Sequence, residues 1–155
     1  MDLSVLRQGV SLGSEFGWEA LAEFTRIGEF LEKSIYREGS LRLDREGKIS
    51  LVLDNPPLRV GAFLGAYLSL DGVELPPEDS WCVDERFGRL RPLSSLSRAD
   101  PLILRPGEST TFSAKPPGPC GSGVHTVRLT LHSVAIPPPV WLEVTAPLLR
   151  SPDDP

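Results

Sequence analysis

The chain has 155 residues, a formal net charge of -5 and 40% hydrophobic residues. This length is enough to bury a core without disulfides or a metal as a staple, and we expect one domain with an appendage. The acidic balance argues against nucleic acid as a partner, because binding to phosphates requires clustered basic residues. The 16 prolines and 14 glycines provide frequent strand breaks, which favours an all-β fold over a helical one.

The N-terminal residues contain neither a basic segment nor a long apolar stretch. No window approaches the roughly 18 consecutive apolar residues that a membrane-spanning helix needs. The sequence therefore predicts a cytoplasmic protein with no membrane contact.

Residues 1–37 are predicted to form an extended arm or short strand followed by a helix over residues 14–34. An apolar stripe recurs there at helical spacing, and Trp18 and Phe30 make it wider than a single packing face needs. Two interpretations stay open: the helix packs across an open side of the β domain, or part of it contacts another subunit. The width of the stripe leads us to expect self-association or a partner, with Trp18 and Phe30 at the interface.

Residues 38–148 are predicted to form the β domain, since short apolar-polar alternations are separated by turn residues. Leu41 and Leu43 precede a turn at residues 44–47 and a strand returns after it. Residues 64–70 alternate, with Leu64 facing inward, into an Asp71-Gly72 pair that is typical of a two-residue hairpin. The residues predicted to form the core are Leu51, Leu68, Phe112, Val127 and Leu129.

The clearest alternation lies at residues 109–114 and 126–131, which are joined by the Gly- and Pro-rich residues 115–123. We interpret these segments as two antiparallel strands joined by a plain hairpin loop. A last strand follows three prolines and places Trp141 on the face opposite its aliphatic residues. Residues 149–155 are expected to be a flexible tail. About seven to nine strands at this spacing predict an immunoglobulin-like antiparallel β-sandwich with an N-terminal α-helix.

Candidate chemistry centres on Cys120 and His125. They are a conceivable nucleophile and base, but nothing in the sequence lowers the pKa of the thiol. Strand parity places His125 and His132 on opposite faces, so they do not converge on a metal. Cys82 and Cys120 are either two buried free thiols or a disulfide. We expect no catalytic residue, no metal and no cofactor.

Pro137, Pro138 and Pro139 precede Trp141 and form a stiff extended segment. Such a segment loses little entropy on binding, so it is a candidate docking ridge. The alternative is a Pro-rich crossover with Trp141 packed under the helix.

Several motifs follow one another between residues 48 and 139. A core strand leads to Arg59, and then come Leu-Ser-Leu-Asp-Gly-Val-Glu-Leu at 68–75, Pro-Glu-Asp-Ser-Trp-Cys-Val-Asp at 77–84, and Gly-Ser-Gly-Val-His-Thr-Val-Arg-Leu-Thr-Leu at 121–131. In this order and spacing the segment resembles the small, beta subunit of C-glycoside deglycosidases.

The resemblance implies a non-catalytic subunit of a lyase-type, sugar-processing complex. Its partner would be a metal-dependent (β/α)-barrel that carries the catalytic residues. Apart from the resemblance, the candidate interface residues of the β domain are Arg59, Pro137, Pro138, Pro139 and Trp141. The same motifs also resemble immunoglobulin-like accessory domains, which would make the chain a stand-alone binding or scaffolding module. An enzyme in its own right is the third alternative.

Overall fold

The computed structural model describes residues 5–10 as backbone, and residues 35–55, 62–84, 88–121, 123–133 and 139–150. Over these residues the chain is all-β, as predicted from the sequence. The strands in chain order are β1 (Val5–Val10), β2 (Ile35–Tyr36), β3 (Arg42–Leu43), β4 (Ile49–Asp54), β5 (Phe63–Leu70), β6 (Val73–Glu74), β7 (Ser80–Asp84), β8 (Arg89–Pro92), β9 (Ser109–Ala114), β10 (Val124–Ser133), β11 (Val140–Pro147) and β12 (Leu149–Arg150).

The described strands form two sheets. The first sheet has the order β1-β11-β10-β5-β6, and the second sheet has the order β12-β3-β4-β9-β7-β8, with β2 beside β4. Neighbouring strands are antiparallel, except that β12 runs parallel to β3. Strand β1 lies within the segment predicted to be an arm or short strand. The predicted helix at residues 14–34, with Trp18 and Phe30, lies outside the described residues.

Both sheets contribute alternate residues to one buried core. In β9 the buried residues are Thr110, Phe112 and Ala114, and in β10 they are Val127, Leu129, Leu131 and Ser133. All five residues predicted to form the core are buried. Because successive side chains of a strand point to opposite faces, the intervening residues lie on the outer face of each sheet.

The inward alternation predicted for β5 fails at its first residues. Phe63 is completely buried, whereas Leu64 is only half-buried. The register between β10 and β5 shifts between His132 and Ser133: His132 pairs with Gly65 and Ser133 pairs with Phe63. Leu64 is therefore the extra residue of a β-bulge, which turns Phe63 into the core.

The two predicted turns are confirmed. Strands β3 and β4 pair across residues 44–47, where Gly47 has a φ of 81°. Strands β5 and β6 pair across Asp71 and Gly72, with φ values of 50° and 85°. Positive φ at both central residues is the geometry that matches the twist of a two-residue hairpin.

The predicted hairpin between β9 and β10 is wrong. Strand β9 pairs with β4 and β7 in the second sheet, whereas β10 pairs with β5 and β11 in the first. Residues 115–121 and 123 thus lie on the connection from one sheet to the other, and we call them the crossing loop. Alternation shows which face of a strand is buried but not which strand lies beside it, and the loop is long enough to span the ~10 Å between packed sheets.

The predicted tail at residues 149–155 is wrong for its first two residues. Leu149 and Arg150 form β12, and the backbone N–H of Leu149 donates to the carbonyl of Leu41 at 3.1 Å. The remaining residues, 151–155, lie outside the described residues. The second sheet therefore includes a strand from the C-terminal end of the described chain.

Candidate functional site

The outer face of the first sheet brings together side chains from three neighbouring strands. Thr130 on β10 pairs with Trp141 on β11 and with Tyr67 on β5. Directly paired residues lie on the same face of a sheet. Two large aromatic side chains therefore flank a small one in a single row across the sheet.

Arg128 and Glu143 hold one side of this row. They are register partners, and the Nε and Nη2 groups of Arg128 donate to Oε2 of Glu143 at 3.1 and 2.9 Å. The guanidinium carbon lies 4.5 Å from the centroid of the Trp141 ring, within the range of a cation–π contact. The side chain of Glu143 is only 13% exposed, so the ion pair is partly shielded from solvent. We call Trp141, Arg128 and Tyr67 the platform.

An open groove of about 520 Å³ lies beside the platform. Its lining includes the residues Tyr67, Ser69, Gly72, Glu74, Thr130 and His132. The rings of Tyr67 and His132 meet edge to face, with centroids 5.5 Å apart and planes at 87°. A Cβ at Gly65 would lie in ordinary van der Waals contact with both side chains, 3.5 Å from Tyr67 and 3.8 Å from His132. The groove thus combines hydroxyls, a carboxylate and an imidazole.

A second group of side chains forms where the β5–β6 turn, the start of β10 and the crossing loop meet. Asp71 is fixed to Thr126 by two bonds: its N–H donates to the Thr126 carbonyl, and the Thr126 N–H donates to Asp71 Oδ1, both at 2.8 Å. His125 lies between two oxygens, with Nδ1 2.6 Å from Asp71 Oδ2 and Nε2 2.7 Å from the carbonyl of Gly121. The Cys120 sulfur is 3.9 Å from the same Nε2. We call Asp71, His125 and Cys120 the turn cluster.

The turn cluster favours a charged histidine and a neutral thiol. The hydrogen bond to Asp71 raises the pKa of His125 above its usual 6.5, and although burial opposes this, the Gly121 carbonyl and the Asp71 charge add to the rise. Burial works against ionisation of Asp71, but bonds from Thr126 and His125 and the charge of His125 outweigh it, so the pKa of Asp71 is lowered. Burial, followed by the Asp71 charge, raises the pKa of the Cys120 thiol.

Cys120 contacts His125, which in turn contacts Asp71. A nucleophile, its general base and an orienting carboxylate contact one another in the same way. Its geometry does not suit that chemistry, because Nε2 of His125 already contacts the Gly121 carbonyl at 2.7 Å. A reactive cysteine also needs a lowered thiol pKa, whereas burial raises the pKa of Cys120. The cluster is therefore arranged to hold the crossing loop against the β5–β6 turn.

The structure brings some of the sequence-predicted site residues together and separates others. Cys120 and His125 are in contact, while Trp141 lies on the outer face of the neighbouring strand β11, opposite Thr130. Pro139 is half-buried just before β11. The other predicted interface residues, Trp18, Phe30, Arg59, Pro137 and Pro138, lie outside the described residues.

Cys82 and Cys120 are both free thiols, so the disulfide alternative is wrong. Cys82 is buried in β7 of the second sheet, opposite Phe112, whereas Cys120 lies in the crossing loop. The separation follows from the crossing of the loop between the sheets.

Sequence reasoning missed Asp71 and Arg128 as members of these groups. The sequence indicates Asp71 only as a turn residue. Its contact with His125 could have been suggested by the carboxylate side chain at a turn position with positive φ. Alternation along β10 places Arg128 on the outer face, but its contact with Glu143 depends on the register of β11. Register between strands distant in sequence is not visible in local alternation.

Neither a metal centre nor a membrane span is found in the part of the chain that the structure describes. No three or more His, Cys, Asp or Glu side chains there are grouped so as to hold a metal ion. The helices within the same residues are the short 3-10 helices Pro77–Asp79 and Leu93–Ser95, which are too short to cross a bilayer.

A scan of protein-family models and a search of curated proteins found no match for the chain. A function must therefore be argued from the platform, the groove and the turn cluster.

Proposed function

We propose that the protein is a non-catalytic accessory subunit with an immunoglobulin-like β-sandwich fold, which binds a protein partner through the outer face of its first sheet. The observation that carries this proposal is the platform, where Trp141, Arg128 and Tyr67 lie on one face of neighbouring strands. Trp, Tyr and Arg are the residue types that most often dominate the binding energy of protein interfaces.

The platform is also arranged in advance of binding. Arg128 is held by two hydrogen bonds to Glu143 and lies against the Trp141 ring, so its side chain has already lost much of its freedom. Ordering a rotamer-rich side chain at an interface otherwise costs roughly 0.5 to 1.5 kcal/mol. The neighbouring groove offers room for a projecting side chain of the partner.

The non-catalytic part of the proposal is supported by the turn cluster. Its base is engaged with the Gly121 carbonyl, and the pKa of the only nearby thiol among the described residues is raised by burial. A role in binding requires no change in these contacts, whereas nucleophilic catalysis would require both to be undone.

The partner that fits the sequence resemblance is a (β/α)-barrel subunit that carries the catalytic residues of a sugar-processing complex. In this arrangement the present chain supports the barrel and borders its active site, and we expect the complex in the cytoplasm. A second candidate, a stand-alone binding module, is favoured by the groove, whose hydroxyls, carboxylate and imidazole suit a small polar ligand.

The test is purification of the tagged full-length chain from its native source, followed by mass spectrometry and light scattering. We expect a stoichiometric complex with a barrel protein, and we expect Trp141→Ala to disrupt it. Trp81→Ala is the matched control, because Trp81 is a half-buried tryptophan on the outer face of the second sheet. A chain that purifies as a monomer, or a complex that survives Trp141→Ala and dissociates with Trp81→Ala, would overturn the proposal. A homodimer would identify a second copy of this chain as the partner in place of the barrel.

A further inference from the structure

The His125 ring lies between a carbonyl oxygen and a carboxylate, and both accept hydrogen bonds from it when the carboxylate is ionised. Its Nδ1 is 2.6 Å from a carboxylate oxygen of Asp71, and its Nε2 is 2.7 Å from the carbonyl of Gly121. Neutral imidazole has one N–H donor, whereas imidazolium has two. With Asp71 ionised, both contacts are hydrogen bonds only if His125 is doubly protonated.

We propose that His125 is a pH-dependent latch: its doubly protonated form ties the crossing loop to the β5–β6 turn, and loss of one proton releases the loop at Gly121.

The alternative proton placement, a neutral Asp71 that donates to Nδ1, fits the surroundings poorly. Oδ1 of Asp71 already accepts from the Thr126 N–H at 2.8 Å, and the Asp71 side chain is 49% exposed. Hydrogen bonding to a carboxylate and access to water both favour its ionised form. The proton therefore belongs to the histidine.

Loss of one proton from His125 removes its hydrogen bond either to Asp71 or to Gly121, and the surrounding contacts determine which bond is lost. Asp71 is charged and is fixed by Thr126, so the remaining N–H stays on Nδ1 in a charge-assisted bond. Nε2 then carries a lone pair that faces the lone pairs of the Gly121 carbonyl at 2.7 Å. Two acceptors at that distance repel each other, so the carbonyl moves away from the ring.

Other bonds of the crossing loop confine the released segment. At its start the N–H of Lys115 donates to the Asp79 carbonyl at 2.9 Å, and at its end the Gly123 carbonyl accepts from Leu148 N–H at 3.0 Å. These backbone bonds do not titrate. Gly118 and Gly121 have no heavy atom within 4 Å of where a Cβ would lie, whereas the half-buried Cys120 packs against the core. The change is therefore centred on Gly121 and confined between these anchors.

The titratable groups that face His125 within the described residues come from two elements. The β5–β6 turn contributes Asp71, and the crossing loop contributes Cys120. Strand β11 contributes the uncharged Ala146, which is the register partner of His125. Because the Cys120 thiol stays neutral, Asp71 is the charge that holds the proton on the latch.

Nitrogen-15 NMR of the full chain between pH 5 and pH 9 tests the latch directly. We expect both ring nitrogens of His125 to be protonated at pH 6, and the Gly121 amide resonance to shift with the same midpoint as the ring. The variant Asp71→Asn keeps a residue that tolerates the left-handed turn but removes the charge. It should move both midpoints together to lower pH.

His132→Gln is the matched control, since His132 lies on the same strand but on the opposite face. It should leave the Gly121 midpoint unchanged, whereas His125→Gln should abolish the pH-dependent shift. An unprotonated ring nitrogen of His125 at pH 6, or a Gly121 shift that persists in His125→Gln, would overturn the proposal. The spectra of the unsubstituted chain show whether both ring nitrogens of His125 are protonated at pH 6, even if a variant fails to fold.

Discussion

The outer faces of the two sheets each carry a tryptophan with a cation over its ring, but the surroundings differ. On the first sheet the Arg128 guanidinium is 4.5 Å from the Trp141 ring and is bonded to Glu143, which is 13% exposed. On the second sheet Lys48 Nζ is 4.9 Å from the Trp81 ring and 3.3 Å from Glu46, whose side chain is 72% exposed.

The two cation–π pairs therefore differ in how firmly the cation is held. Lys48 is a flexible point charge beside a solvated turn, so holding it in place loses as much entropy as the contact gains. The planar guanidinium of Arg128 is held by two hydrogen bonds to the partly shielded Glu143 carboxylate. A second aromatic side chain, Tyr67, lies on the same face. Our proposal therefore places the interface on the first sheet and uses the second sheet as the control surface.

The largest expected effect comes from truncating a core side chain beneath the outer face of the first sheet. Leu129→Ala leaves a cavity below the platform, because Leu129 is 1% exposed between Arg128 and Thr130. Such core truncations cost about 2 to 5 kcal/mol, which urea unfolding measures. Thr130→Ala, one residue along on the outer face, should cost under about 1 kcal/mol. Equal losses for the two variants would show that the sheet has no buried side at this position.

The next largest effect is the loss of affinity for the partner, which should differ between variants of Trp141 and of Trp81. Trp141→Ala should weaken the affinity for the native partner by about 30-fold, which corresponds to about 2 kcal/mol for a dominant interface residue. Trp81→Ala should change it by less than about twofold. Isothermal titration calorimetry with folded variants makes the measurement, and similar losses for both would remove the distinction between the faces.

The third effect concerns the pH dependence of the stability that the turn cluster contributes. The folded-state pKa of His125 is raised, so its contribution is fully present below the unfolded value of 6.5 and is lost as pH rises through the folded value. The loss in unfolding free energy caused by His125→Gln should therefore be larger at pH 6 than at pH 9.

The contribution of Asp71 to the free energy of unfolding depends on pH in the opposite direction. Its folded pKa is lowered, so its contribution is present above the unfolded value of 3.8 and is lost as pH falls through the folded value. A His125→Gln penalty that is the same at pH 6 and pH 9 would contradict the predicted linkage.

The smallest effect compares the two ion pairs. A double-mutant cycle on Arg128 and Glu143 should give a coupling of about 0.5 to 1 kcal/mol, and one on Lys48 and Glu46 about 0 to 0.5 kcal/mol. Chemical denaturation of the single and double variants provides both values. A stronger coupling for the exposed pair would reverse the ranking of the two faces.

Local patterns predicted the strands but not their neighbours. Alternation identified Phe112 and Leu129 as core residues, and the Asp71-Gly72 pair identified the β5–β6 turn. The same alternation could not show that β9 and β10 lie in different sheets, since each strand looks the same whichever strand it pairs with. The bulge at Leu64 was missed because it depends on the register with β10.

The candidate site was only partly predictable for the same reason. Cys120 and His125 are close in sequence, and their contact followed from that proximity. Asp71 is 54 residues from His125, and Glu143 is 15 residues from Arg128. Those contacts arise from strand pairing, which a single sequence does not specify.

Hydroxyl-radical footprinting of the native complex tests the assignment of the interface most directly, because it compares both tryptophans in one sample. Oxidation of Trp141 should fall on complex formation, whereas oxidation of Trp81 should match that of the free chain. Protection of Trp81 with unchanged oxidation of Trp141 would contradict the assignment and place the partner on the second sheet.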